Sequence, residues 1–387
     1  MKVDLRGRGK LIGAGAGAVA VVAIIGTALM VTAGSGAQPS SSTTASASIA
    51  PTATPSDSPL ASLSSEPTDT SSPEPTGPTP LPSGWTYADL DGVAADPTLA
   101  HRLPIAVMVD DNAAARPQSG FSSASIVYQA PADGGEDRYM MIFQEGTSSD
   151  IGPVRSARPY FVQWASEYRA GYGHFGGDVT ALHTTIPSLA AYIYNMDSLS
   201  GFSCAYHRVS TRVAPHNAYT NTGELLRCAA KIPYPTSYRN APARPFVADS
   251  PTAQSLTAAT VTIPYRTNTV KYAFEADVDA YVRSVAGTVQ VDPANSQKVY
   301  ARNIIVLYQA LTYDSKVDPG HNRPVVTDIG AGQAMVFKEG QAIKATWKKT
   351  SATALTRLYD AKGQEIPLVR GEIFIQVVPI GTKATWG

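Results

Sequence analysis

The first 84 residues of this chain contain three segments, none of which has the makings of a folded core. Residues 1–10 carry Lys2, Arg6, Arg8 and Lys10 against Asp4, and residues 11–33 follow without a charge. A basic segment before 23 apolar residues matches a bilayer-spanning helix whose amino end stays cytoplasmic. Val31-Thr32-Ala33 and Ser35-Gly36-Ala37 each suit a signal peptidase, so cleavage stays open, although the length of the span favours an anchor. No Cys follows it, which excludes a bacterial lipid anchor. The third segment, 34–84, is a Pro/Ser/Thr-rich stalk: 36 of the 47 residues from 38 to 84 are Pro, Ser, Thr or Ala. It has no apolar periodicity to offset the entropy of ordering, so a disordered tether is expected. Such a tether spans about 40 Å as a coil and about 150 Å when extended.

Lys and Arg together number 31, as do Asp and Glu, and a formal charge of zero argues against a nucleic-acid partner. Removing the basic head and the four acidic stalk residues leaves the remainder at +1, so any cationic site there is local. Two Cys exclude a disulfide-rich scaffold. In an oxidising exterior, Cys204 and Cys228 would close a loop holding Arg208, Arg212 and His216.

The rest of the chain reads as an α+β fold, with an N-terminal subdomain at 85–230, a connector at 231–264 and a mainly β subdomain at 265–387. Short apolar runs bounded by turn residues predict strands at 104–110, 124–129 and 139–145. Pro159 opens a helix whose face carries Tyr160, Phe161, Trp164, Ala165 and Tyr168. A strand at 171–175 precedes a helix at 180–196 interrupted at Pro187, and a further helix lies at 220–231. Strands then follow at 270–275, 280–284, 288–292, 303–309, 334–337, 342–347, 355–359 and 373–379, several separated by turns such as Glu339-Gly340.

Polar groups gather in a few places. Arg155 and Arg158 stand just before the helix start at Pro159, where the macrodipole disfavours cations unless an anion intervenes. A bound anion would satisfy both, and so would an internal carboxylate such as Asp150 or Glu145. Arg208, Arg212, His216 and Asn217 share a segment that Pro215 keeps from regular helix; they suit a carboxylate, a phosphate or sugar hydroxyls, or a network pinning the loop. Arg116 is a further anion candidate. His174 and Asp178 follow glycines that formally match GxGxxG, but no strand–turn–helix unit supports a dinucleotide site. They would line a cleft as an acid–base pair, or His174 would be a satisfied core histidine. With His183 they match no metal spacing, so neither metal nor cofactor is expected. Asp133, Glu136, Asp137 and Arg138 surround Gly134-Gly135; paired carboxylates run glycoside chemistry, but a solvated turn is the simpler account.

The order PIAVMVD, ARPQSG, IVYQAP, GG-x-x-R, IGPVRSARPYFV, HFGG and R-x-x-x-R-x-APHN-x-YT resembles the YerB family of bacterial cell-surface domains, commonly lipoproteins. Asn303-Ile-Ile-Val306, Gly330-Ala-Gly, Thr346-Trp-Lys-Lys349 and Asp360-Ala-Lys-Gly363 continue the match, which runs from about Pro104 to Pro379. The resemblance implies a two-part α+β structure with layered sheets and brings no activity with it. Arg116, Arg138, Arg155, Arg158, His174, Arg208, Arg212, His216 and Asn217 fall on the family's motifs. The family's lipid-bearing Cys is missing, and Glu136-Asp137 replaces a usually apolar residue and Thr.

The expected function is extracytoplasmic binding of an anionic or polyhydroxylated cell-envelope ligand, such as a glycan, in an Arg/His-lined cleft. The protein would be tethered to the membrane through 11–33 if that span is uncleaved. The alternatives are a wall-acting enzyme with His174 or His216 as acid–base, and a structural partner of another envelope protein.

Overall fold

Three apolar runs form the centre of the fold: Ile105–Asp110 (β1), Ile126–Pro131 (β2) and Asp137–Phe143 (β3), each buried along its whole length. The computed structural model describes residues 81–231, 243–248, 256–316, 320 and 322–387. The basic head, the 11–33 span and the stalk up to residue 80 lie outside the described residues. Among the described residues, no helix is long and apolar enough to cross a membrane.

Continuous burial of a strand requires cover on both faces. Ala106 and Met108 of β1 enter one core with Tyr128 and Trp164, whereas Ile105, Val107 and Val109 enter a second with Phe121, Tyr272 and Phe374. The first core is covered by the helix Pro159–Glu167 (α1), which has Pro in its first turn. Trp164 of α1 stacks on Tyr128 with ring centroids 5.0 Å apart.

Gly171–His174 (β4) and Tyr194–Asp197 (β5) extend the sheet in parallel from β1. The helix expected over 180–196 is borne out as far as Ser188, next to the expected break at Pro187, and is corrected beyond it. A widened, π-helical stretch at Ala181–Thr185 runs into the α-helical Ile186–Ser188, and helix stops there. Pro187 removes an intrahelical hydrogen bond, and burying Met196 at the sheet edge outweighs helical propensity. Thr222–Ala229 (α2) forms as expected, capped by the Asn221 side chain.

The second core is covered by another sheet. Its main strands are Thr260–Pro264 (β6), Thr269–Glu275 (β7) and Ala280–Val285 (β8), with Thr385–Trp386 on the far side of β6. Two pieces of the expected connector are therefore structured: β6, and Phe246–Val247, which pairs with Leu368–Val369. The hairpin of Leu311–Asp314 and Arg323–Val326 lies outside the expected strands, because each strand is only four residues long and the second carries a Pro.

The chain then returns to the central sheet through Asn303–Gln309 (β9), Gly330–Lys338 (β10), Gln341–Lys349 (β11), Arg357–Tyr359 (β12) and Ile373–Pro379 (β13). The ten strands lie in the order β12-β11-β10-β9-β13-β2-β3-β1-β4-β5. Strand β13 is parallel to both neighbours, with Ile375 opposite Ile305 and Tyr128. The two subdomains expected from the sequence thus share their largest sheet.

Candidate functional site

The carboxyl ends of β1 and β4 meet two loops that carry most of the polar motifs. Asp110 closes β1 and is buried. The segment after Pro153 folds back over it: Asp110 N donates to Pro153 O at 3.0 Å, Arg155 N to Met108 O at 2.9 Å, and Phe175 N to Arg155 O at 3.0 Å. Arg155 is thereby fixed between the two strand ends. Its Nε lies 3.1 Å from Asp110 Oδ2, and the same oxygen is 2.7 Å from His216 Nδ1. Burial lowers the Arg155 pKa from its ordinary value, and Asp110 opposes that shift.

The second loop is tied down by the disulfide between Cys204 and Cys228, whose Cα atoms are 6.2 Å apart. Arg208 Nη1 donates to Asn217 Oδ1 at 2.5 Å, and the guanidinium sits 4.8 Å from the Phe175 ring centroid. Arg155, Ser156, Phe175, Arg208 and Pro215 line an open cleft of about 220 Å³. Asp110, His216 and Asn217 reach this cleft through Arg155 and Arg208, so five expected or associated polar groups share one place.

The other expected site residues go elsewhere. Arg116 pairs with Asp111 at 3.1 Å. Arg212 donates to the carbonyls of Ala114 and Pro117 at 3.0 and 2.8 Å, so it pins the turn containing Arg116. Arg158 is buried and forms a two-pronged pair with Asp133, with Asp178 3.6 Å away. The anion required before α1 is therefore a side chain, and it is neither Asp150 nor Glu145. Arg138 is also buried; it donates to Ser156 O at 3.0 Å and lies 3.9 Å from Asp133. Asp133 further accepts from Arg323 at 2.5 Å, which corrects the solvated-turn reading of this carboxylate.

His174 is fully buried, with Nδ1 2.8 Å from Gly176 O and Nε2 2.6 Å from Asn195 Oδ1. It is a satisfied core histidine with no face toward a ligand. Asp178 caps the following turn by accepting from Ala181 N at 2.7 Å.

The sequence reading missed the carboxylates Asp110, Asp111 and Asp133 as partners of the arginines. The available signal was Asp110-Asp111-Asn112 at the carboxyl end of a buried strand, where charges persist only when paired. Asp111 also accepts from Gln129 and Asn268, each at 3.1 Å. Gln129 approaches Asp137 at 3.5 Å. Burial, then the nearby Asp111, pushes the Asp137 carboxyl well above its usual range.

With this geometry in hand, comparison with known proteins defines the class. The N-terminal domain model of the protein of unknown function DUF3048 matches residues 90–234, and its C-terminal domain model matches 261–375. The chain belongs to this DUF3048 family, the YerB family. It is similar to YerB of Bacillus subtilis (strain 168), whose name carries the word lipoprotein: identity is 29% over 297 residues, covering 76% of this chain and 86% of that protein. The crystal structure of YerB from Bacillus subtilis has a TM-score of 0.68 at 26% identity, covering 77% of this chain and 99% of that one.

Proposed function

We propose that this protein works outside the cytoplasm, held at the membrane, and that the Arg155–Arg208 cleft takes up an anionic or polyhydroxylated group of the cell envelope. The supporting observation is that two guanidiniums line one open cleft while a single carboxylate, Asp110, is shared between Arg155 and His216. Such an arrangement leaves positive charge and planar donors for an incoming oxyanion or hydroxyl. The basic head, the apolar span and the lipoprotein name of the relative support the location.

The test is retention of the detergent-solubilised full chain on purified cell walls. Wild type and Arg212→Ala are expected to be retained, because Arg212 is committed to backbone carbonyls, whereas Arg155→Ala and Arg208→Ala are expected to wash off. Absence of wild-type retention, or equal retention of all four proteins, refutes the reading.

The 2.7 Å contact between Asp110 and His216 favours a second reading, a wall-acting enzyme. A carboxylate that orients an imidazole is the usual support of a general acid–base. Release of soluble wall fragments by wild type, abolished in a folded His216→Ala variant, would establish it.

A further inference from the structure

At the carboxyl end of α1, away from the arginine cleft, buried ionisable side chains of three elements meet. Strands β10 and β11 pair with Gly330 opposite Lys349, which brings Asp328, two residues before β10, beside the last residue of β11. Lys349 Nζ lies 3.3 Å from Asp328 Oδ2 and 2.5 Å from Glu167 Oε1, and neither the Lys349 nor the Glu167 side chain exposes any surface. Glu167 is held in place by Thr356, whose backbone N–H and hydroxyl each donate to it at 2.9 Å. Arg244, also buried, donates to Thr356 O at 2.7 Å and to the Tyr168 hydroxyl at 3.2 Å, and its charge acts on Glu167. The Gln163 amide, turned with its nitrogen toward Asp328, donates to both carboxylate oxygens.

Lys349 lies against both carboxylates, nearer Glu167 than Asp328, and Arg244 adds a second positive charge that acts on Glu167. An ammonium and a carboxylate taken out of water are costly to keep, even when paired. Burial holds the Asp328 carboxyl above its usual range; Lys349 opposes the shift and Glu167 adds to it. Passing one proton from Lys349 to Asp328 converts both groups to neutral forms, an amine and a carboxylic acid. These are the reactants of amide condensation.

We propose that Lys349 and Asp328 condense into an intramolecular amide, with Glu167 carrying the proton between them. Lys349 Nζ attacks the Asp328 side-chain carbonyl carbon and gives one proton to Glu167. The C–N bond forms, the C–OH bond breaks, and Glu167 returns the proton to the departing hydroxyl, which leaves as water. No oxidant or reductant takes part. The Gln163 amide polarises the acid. Asp328 also lines an open cleft of about 310 Å³ between α1 and the hairpin that ends at Val326, which gives the water an exit. The product removes the Lys349 and Asp328 charges, leaves Glu167 under the nearby Arg244 charge, and ties the open end of the β10–β11 hairpin.

The purified full chain, reduced, alkylated and digested, is examined by tandem mass spectrometry. The expected result is a branched peptide joining the segments that carry Asp328 and Lys349, lighter by one water than their sum. Asp328→Asn is expected to yield the same branched peptide by losing ammonia, which an ion pair cannot do. Asp328→Ala is expected to yield only linear peptides. Glu167→Gln is expected to yield linear peptides with an unchanged circular dichroism spectrum. Linear peptides from folded wild-type protein overturn the proposal, and that measurement stands even if Glu167→Gln does not fold. A branched peptide formed equally well in Glu167→Gln removes Glu167 from the reaction.

Discussion

Arg283 Nη2 donates to Gln129 Oε1 at 2.7 Å, joining β8 of one sheet to β2 of the other across 154 positions of sequence. The guanidinium is fully buried and lies 5.3–5.9 Å from the ring centroids of Phe121, Tyr139, Tyr272 and Phe374. It also donates to the hydroxyls of Tyr272 and Tyr139 at 3.2 and 3.1 Å. Burial opposes its charge, but Tyr139, Tyr272 and Asp111 outweigh burial and hold its pKa above the ordinary value.

Removing this side chain leaves several acceptors unpaired between the sheets. Arg283→Leu is expected to cost about 3–5 kcal/mol in urea unfolding followed by Trp fluorescence. Arg283→Lys is expected to recover little, because one ammonium cannot reproduce the planar fork. A loss below about 1 kcal/mol for Arg283→Leu would show that the sheets are joined without it.

Asp137 predicts a pH dependence. Its folded pKa is raised by burial and then by Asp111, so the folded state retains a proton that the unfolded chain releases. Stability is therefore greatest below the ordinary carboxylate value and falls as pH rises from there through the raised value. Each unit of difference is worth about 1.4 kcal/mol. Thermal melts of Asp137→Asn should match wild type near pH ~4 and exceed it at neutral pH. Parallel curves for the two proteins across that window would contradict this.

The Cys204–Cys228 bond spans 24 residues and encloses Arg208, Arg212 and His216. Replacing both cysteines with Ser is expected to cost about 3 kcal/mol by freeing the unfolded loop. Cell-wall retention should weaken in parallel, since the loop carries one of the two cleft guanidiniums. Unchanged retention at a temperature where the variant stays folded would separate the loop from binding.

Arg208 rests on Phe175 and bonds to Asn217. Arg208→Lys keeps the charge but loses the stacked plane, at a cost of about 0.5–1 kcal/mol in binding. Elution from cell walls should then need less salt than wild type and more than Arg208→Ala.

Strands such as 104–110 and 303–309 were legible because a run buried on both faces has to be apolar throughout. The arginine motifs were legible as motifs, but their partners were not. Asp133 meets Arg158 from 25 positions away, and Asp110 meets His216 from 106, distances over which periodicity carries no information. The strand at 194–197 was hidden because tertiary burial of Met196 overrode a helical composition. His174 read as a candidate because nothing local showed that Gly176 and Asn195 would occupy both ring nitrogens.

The place of β13 bears on how the molecule comes into being. Among the described residues, β13 joins strands β1 to β5 to strands β9 to β12 in the ten-stranded sheet, and it is the last of those ten in sequence. Until Ile373–Pro379 is in place, β2 and β9 each keep a bare edge. A chain truncated before Ile373 would present those edges to its neighbours and be exposed to aggregation and proteolysis.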